Sequence, residues 1–448
     1  MRSLRRWLTP GMGIKRWLLV VFLGELALAL AGALVLRQAY RDVTVGDTLQ
    51  ELVSILTLQS VPYLLRAFIL AVAGAALVIV GFGRLMGALL GPATSPGPLS
   101  EVIYQRRMLA RGPRVVAIGG GSGLSVLLRG LKERSSNLTA VVSVADDGGS
   151  SGRLRAAYGW TPMGDIRDCI AALADAEPLM AELLQYRFPN EPGSPELADH
   201  AFGNLLIAAM GGVEGDFEEG VRQVNRVLAV RGQVIPASGR PLTLHARLLD
   251  GSTVDGQSDI ARSRGIERVW ITPETPIACA GAVEAILEAD IVVLGPGSLY
   301  TSVLPGLLVP AIGDAVRRAP GLVVYACNVA TQVGETEGYD LAAHYLALDQ
   351  HAGPAIADVV LANSATAARR APGDRSTPVE LSWPPGSDER PTPADRVAGF
   401  PDVTLVLRDV IDRGNAHFHD PERLAAAVLE IGARHARRRA LSDAARTA

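Results

Sequence analysis

The sequence predicts an α/β fold: a doubly wound, mostly parallel Rossmann-like sheet with a small antiparallel excursion, preceded by an N-terminal two-helix transmembrane hairpin. Three observations carry this. From residue 114 onward, short apolar runs end abruptly in glycine or acidic turns and alternate with helical patterns. Residues 242–248 switch to strict alternation before an Asp250-Gly251 turn, the signature of a hairpin. Two long apolar segments, 17–36 and 67–83, precede all of this and meet the length of a membrane span, the second marginally.

The chain of 448 residues carries 43 Lys+Arg against 46 Asp+Glu. So balanced a charge gives no global field to recruit nucleic acid, and recognition has to be local. Three cysteines, Cys169, Cys279 and Cys327, stand far apart and outside any paired motif, as expected of small buried side chains rather than a disulfide or zinc framework.

Organisation follows in chain order. Residues 1–90 read as the membrane hairpin, 91–113 as a linker centred on the glycine and proline-rich GPATSPGPLS, 114–437 as the α/β domain and 438–448 as a flexible tail. Arginine and lysine flank the outer ends of both spans, whereas the connecting loop is balanced. That places both termini and the α/β domain in the cytoplasm, at the inner membrane face. Glu25 is an acid within the first span, expected to face the partner helix or a polar neighbour.

Within the α/β domain, Val115, Val116 and Ile118 form a strand that empties into Gly119, Gly120 and Gly121, with a helix over 124–131. The run 138–144 stops at Asp146, Asp147, Gly148 and Gly149. Two such turns from neighbouring strands would face one crevice. The glycines miss the dinucleotide fingerprint, because the required third glycine falls on Leu124 or Val126, and no Lys-Ser or Lys-Thr pair completes a P-loop. What remains is an anion cradle of its own kind. Opposite it, Asp146 and Asp147 have three readings: holding a ribose hydroxyl, coordinating Mg²⁺ between diphosphate oxygens, or closing a turn.

A second glycine turn leads into Asp165, expected to cap a helix carrying Ile166, Ile170 and Leu173, with Arg167 and Asp168 on its first turn. His200 and Asn204 lie four apart, on one face if helical. Residues 242–273 form the antiparallel excursion, and Pro276 opens a helix through Val283, Ile286 and Leu287. The strand 291–294 empties into Gly295, Pro296, Gly297 and Ser298, followed by the hydroxyls of Tyr300, Thr301 and Ser302, again suited to an anion. Further strands are expected at 323–326, 359–361 and 403–407, a surface loop over 370–399, and a last helix from Pro421. His417 and His419 flank one residue beside that helix and read as capping or solvated groups rather than a metal pair.

Seven motifs, GGGSGLS, ADDGGSSGRLR, GDIRDC, HAFGNLL, LGPGSLYTSVLP, CNVATQVGET and HDPERLA, occur in order across 114–437. Together they resemble the gluconeogenesis factor family of UDP-N-acetylglucosamine-binding regulators, relatives of the 2-phospho-L-lactate transferases. The resemblance implies a nucleotide-sugar ligand, with NADP as an alternative, and a part in supplying cell-wall precursors and keeping cell shape during gluconeogenic growth. It further implies control of glucosamine-6-phosphate synthase; the sequence leaves the oligomeric state open, a homo-oligomer among the alternatives. Carried over, it makes Gly120, Gly121, Ser122 and Gly123 the cradle, and sets Asp146 and Asp147 on the nucleotide sugar or its Mg²⁺. Asp165 and Asn204 then join the same crevice, with Gly297, Ser298 and Thr301 on a phosphate or sugar. The rival implication is a Mg²⁺-dependent transferase of the 2-phospho-L-lactate type, with Asp146 or Asp147 binding the metal; a third is a membrane scaffold that has lost its ligand. This sequence departs from the family at GGGSG, at Asp168, where Asn is frequent, and in carrying the hairpin.

Overall fold

The computed structural model describes residues 107–448 except 176, 191–196, 365–375, 382–395, 398–399 and 448, together with Glu25, Ala29, Ala33, Pro62 and Leu65. The chain divides into two compact units, Met1–Met108 and Leu109–Ala448. In the first, Glu25, Ala29 and Ala33 are helical and exposed; the rest of the two expected spans lies outside the described residues. Among the described residues no single helix is long and apolar enough to cross a membrane.

The second unit is built on an eight-stranded sheet in the order β10-β11-β9-β8-β7-β1-β2-β3. Its strands are β1 (Val115–Gly119), β2 (Leu138–Val142), β3 (Gln233–Pro236), β7 (Ile291–Leu294), β8 (Leu322–Ala326), β9 (Val359–Asn363), β10 (Arg396–Val397) and β11 (Phe400–Arg408). All neighbours are parallel except β10, which runs antiparallel to β11 at the edge. The central strands β1, β2, β7 and β8 are buried along their whole length. This is why they read as uninterrupted apolar runs rather than alternating ones. Sequence order runs outward from the β1–β7 pair, through β2 and β3 on one side and β8, β9 and β11 on the other, with β10 folded back at the edge, so the reversal of winding falls between β1 and β7.

The helices between the strands are α1 (Gly121–Leu131), α2 (Gly149–Tyr158), α3 (Gly164–Leu173), α4 (Glu177–Gln185), α5 (Phe202–Glu214), α6 (Phe217–Val227), α7 (Gln257–Ile260), α8 (Ala280–Glu288), α9 (Leu304–Leu307), α10 (Pro310–Arg317), α11 (Leu341–Ala352) and α12 (Pro421–Thr447). Packing joins α1 to α3 and α12. The expected excursion is a separate three-stranded antiparallel sheet, β5 (Thr253–Asp255), β4 (Thr243–Leu248) and β6 (Ile266–Thr272), in the order β5-β4-β6.

Three expectations are corrected. The helix placed at Pro276 begins at Ala280, where Cys279 takes the extended backbone of an N-cap. Inside the expected surface loop, Arg396–Val397 pairs with β11, and Ala330 bridges Pro378. The tail is helical to Thr447 rather than frayed: it is rich in Ala and Arg, strong helix formers, and Arg439 donates to the Pro320 carbonyl at 2.6 Å. All three cysteines are free and buried.

Candidate functional site

Where the winding reverses, the turn leaving β1 meets the turn leaving β7. They touch so closely that a Cβ on Gly123 would lie 2.7 Å from both Gly297 Cα and the Pro296 carbonyl oxygen. Only glycine permits that approach. Gly121 has φ +63, the left-handed conformation that turns the chain from β1 into α1. Helix α1 has Gly120 as N-cap and no side-chain cap. An uncapped helix start leaves its first amides free, and the macrodipole adds positive potential there.

One of those amides is occupied. Asp165, on the first turn of α3, accepts from the Gly121 amide and packs against Gly120. The expected cap is therefore a strut: the N-cap of α3 is Met163, without a side-chain cap, and the Asp165 carboxyl reaches across to the other turn. Burial pushes this carboxyl up to about 7, and the negative charges of Asp146 and Asp168 add to the shift. For Ser122 and Gly123 no amide partner occurs among the described residues.

A cleft of about 200 Å³ opens over this point. Of the residues singled out in the sequence, Gly120, Gly121, Ser122, Gly123, Asp165, Gly297 and Ser298 line it together. Gln257, Ser302, Asn328, Gln332, His417, Phe418 and His419 line it as well. Asn328 makes a two-point pair with Gly297, accepting from its amide at 3.2 Å and donating to its carbonyl at 2.8 Å. The Gly297 amide is thus committed to holding the turn. Gln332 donates to Ser298 Oγ at 2.6 Å. Both residues lie in the CNVATQVGET motif after β8, one of the seven that carry the family resemblance, though neither is singled out there.

The remaining singled-out residues stand behind or beside the cleft. Thr301, in the middle of a π-helical turn, Leu299–Val303, is buried and donates to Glu335 Oε1 at 2.7 Å. Burial raises the pKa of Glu335. Asn204 is buried; its amide donates to Ser150 and Ser151, and its carbonyl accepts from Arg167. His200 precedes α5 and meets the same Ser150 hydroxyl at 3.0 Å, with a pKa lowered by burial and by Arg153. Arg167 is buried and committed to Asp168 and Asn204, and neither Arg167 nor the half-buried Asp168 lines the cleft. Asn204, His200 and Arg167 brace the ADDGGSSGRLR turn, Thr301 the turn after β7, and none of them lines the cleft.

Asp146 and Asp147 do not line the cleft either; they sit on the turn after β2, beside Gly164 and Gly256. Asp146 accepts from the Gly148 amide at 2.9 Å, and burial raises its pKa, with the charge of Asp147 contributing. Asp147 accepts from the Ser258 amide at 2.9 Å, at the start of α7, and packs on Gly256. Among the described residues no three acidic, histidine or cysteine side chains form a closed metal cage. Mg²⁺ needs less than that, since it binds through one or two carboxylates and takes its other oxygens from phosphate and water. Two adjacent carboxylates, each with one oxygen tied to an amide, fit that protein share.

The loop between β11 and α12 supplies the far wall. Here His419 Nε2 donates to the Cys327 carbonyl at 3.2 Å, and burial lowers its pKa to about 4. His417 Nδ1 pairs with Ser376 Oγ at 2.7 Å. Neither histidine caps α12: Asp420 does, accepting from the Arg423 amide at 3.0 Å.

The family profile described as 2-phospho-L-lactate transferase CofD matches residues 115–387. The chain is 43% identical to the gluconeogenesis factor of Halalkalibacterium halodurans over 321 residues, 70% of this chain and 95% of that protein. The chain belongs to the gluconeogenesis factor family. Within that family it is 49% identical to the gluconeogenesis factor of Bacillus subtilis over 253 residues, 56% of this chain and 79% of that protein. It is also 41% identical to a Nostoc protein over 440 residues, 96% of this chain and 93% of that one. A crystal structure of a UPF0052 family protein from Bacillus halodurans superposes with a TM-score of 0.62 at 38% identity, covering 71% of this chain and 99% of that one.

Proposed function

We propose that this member of the gluconeogenesis factor family is a membrane-tethered regulator that binds a nucleotide sugar, UDP-N-acetylglucosamine, and adjusts cell-wall precursor and central carbon metabolism. The observation that carries the reading is the pair of amides at Ser122 and Gly123. They stand at the start of α1, facing the Gly297–Ser298 turn where the winding reverses. A diphosphate suits that point, since amide donors and the helix dipole both favour an anion. Glucosamine-6-phosphate synthase is the regulated partner in this reading, NADP an alternative ligand, and the inner membrane the location, with the α/β unit in the cytoplasm.

Calorimetry on the full chain in detergent tests it. The expected result is heat on adding UDP-N-acetylglucosamine; no heat with that ligand, while another nucleotide binds, refutes it.

A second reading is favoured by the match of residues 115–387 to the 2-phospho-L-lactate transferase profile. In it, Asp146 and Asp147 hold Mg²⁺, the acceptor hydroxyl oxygen forms a bond to the donor's phospholactyl phosphorus, and the nucleoside monophosphate leaves as the diphosphate bond breaks. The metal would neutralise charge on the transferring phosphate. Metal-dependent release of nucleoside monophosphate from a nucleotide-activated phospholactate, abolished by Asp147→Asn, is the result that would favour it.

A further inference from the structure

The His417-Phe418-His419 segment is left unexplained by the reading above, yet it forms a wall of the same cleft. Its backbone is held at several points. The Asp412 amide donates to the Phe418 carbonyl at 2.9 Å, the Phe418 amide to Asn415 at 3.0 Å, and the Asp420 amide to Val410 at 2.9 Å. Ile411 bridges His419. Both histidines are committed to protein partners, His419 to the Cys327 carbonyl and His417 to Ser376. Between them Phe418 remains 40% exposed. A segment pinned in this way does not expose a phenyl ring through looseness. Water is also a poor partner for it, whereas a flat ring is a good one.

We infer that Phe418 is the platform on which the planar base of a nucleotide ligand stacks, with the ligand's phosphates at the start of α1. This rests on the nucleotide-sugar reading and adds an orientation to it. The cleft has one polar end suited to an anion, Ser122 and Gly123, and one exposed aromatic surface, Phe418. A ligand that satisfies both is an anion carrying a flat aromatic ring. A phenyl ring has no donor or acceptor with which to read base edges, so the platform selects for planarity. Pyrimidine and purine nucleotides are expected to use it alike, because every base has a π-face.

The test is calorimetry on the full chain with UDP-N-acetylglucosamine and, separately, with N-acetylglucosamine 1-phosphate, which has the anion and sugar but no base. Phe418→Leu keeps an apolar side chain and removes the ring; Phe418→Trp enlarges the ring. Phe418→Leu is expected to weaken UDP-N-acetylglucosamine by about five- to a hundredfold, the range seen when a base loses its aromatic partner. Phe418→Trp should restore or improve it, and neither variant should change the affinity for the sugar phosphate or the melting temperature. Equal affinity of the wild-type chain and Phe418→Leu for UDP-N-acetylglucosamine overturns the inference while leaving the nucleotide-sugar reading intact. A parallel loss of sugar-phosphate affinity also overturns it, since that marks a general distortion of the cleft. If the wild-type chain binds neither ligand, the nucleotide-sugar reading itself falls, and the platform with it.

Discussion

Replacing Asp165 by Asn keeps the shape of the strut and removes its titration. An asparagine Oδ1 still accepts from the Gly121 amide, so the two turns stay joined. The wild-type carboxyl titrates at about 7, raised by burial and by Asp146 and Asp168, against about 3.9 in an unfolded chain. A raised carboxyl binds its proton more tightly when folded. Below pH ~4 both states are protonated and nothing is lost; as pH rises to about 7 the unfolded chain ionises first, and stability falls. At ~1.4 kcal/mol per unit the ceiling is about 4 kcal/mol. The surroundings relax around a buried charge, so the expected loss is roughly half that, ~2 kcal/mol. Urea unfolding of the full chain and of Asp165→Asn from about pH 4 to about pH 8 measures it. The variant should gain ~2 kcal/mol over wild type across that range. His419, whose pKa is lowered to about 4, tilts both profiles the opposite way and cancels in their difference. Profiles parallel to within ~0.5 kcal/mol would refute the argument that Asp165 is held neutral by its surroundings. An anionic ligand beside Asp165 raises its pKa further, so ligand affinity should increase as pH falls from about 8 to about 6 in wild type and stay flat in the variant.

Gly123→Ala forces a methyl into the backbone of the β7 turn; it should cost about 1–3 kcal/mol by urea unfolding and abolish the calorimetric signal. Asn328→Ala releases both hydrogen bonds on Gly297; a loss of about 1–3 kcal/mol is expected, with weaker ligand binding at unchanged pH dependence. His419→Gln removes a neutral buried imidazole whose folded pKa lies below its unfolded one. Relative to the variant, wild type should lose stability as pH falls from about 6.5 to about 4, so the gap between their melting temperatures should change across that window and stay constant above it.

The strands were legible because burial on both faces writes them as bare apolar runs: 115–118, 291–294 and 323–326 all lie within strands of the sheet. The cradle glycines were legible because each run stops on them. Partnership was not. Asp165 looked like a cap because charge at a helix start usually is one; its partner, the Gly121 amide, belongs to another turn. Thr301 and Asn204 carry the right chemistry for a ligand but spend it on Glu335 and on Ser150 with Ser151. The short edge strand β3 went unread because its run, Gln233–Pro236, is short and ends in proline. His419 looked solvated because only strand order, a long-range property, brings its loop to Cys327.

That strand order also sets a schedule. β1 and β7 are hydrogen-bonded neighbours although residues 120 to 290 separate them, and the wall bearing Phe418 arrives only after β11. A nascent chain therefore exposes its anion cradle early and completes it last. Until the ribosome has released the segment near residue 420, nothing in the crevice can be gripped from both sides. Pairings of such wide sequence separation form slowly. Any ligand that grips only the finished crevice shifts the balance toward the fully assembled protein. Occupancy by such a ligand would then depend on complete synthesis, and a chain truncated before residue 420 would lack one wall of the crevice.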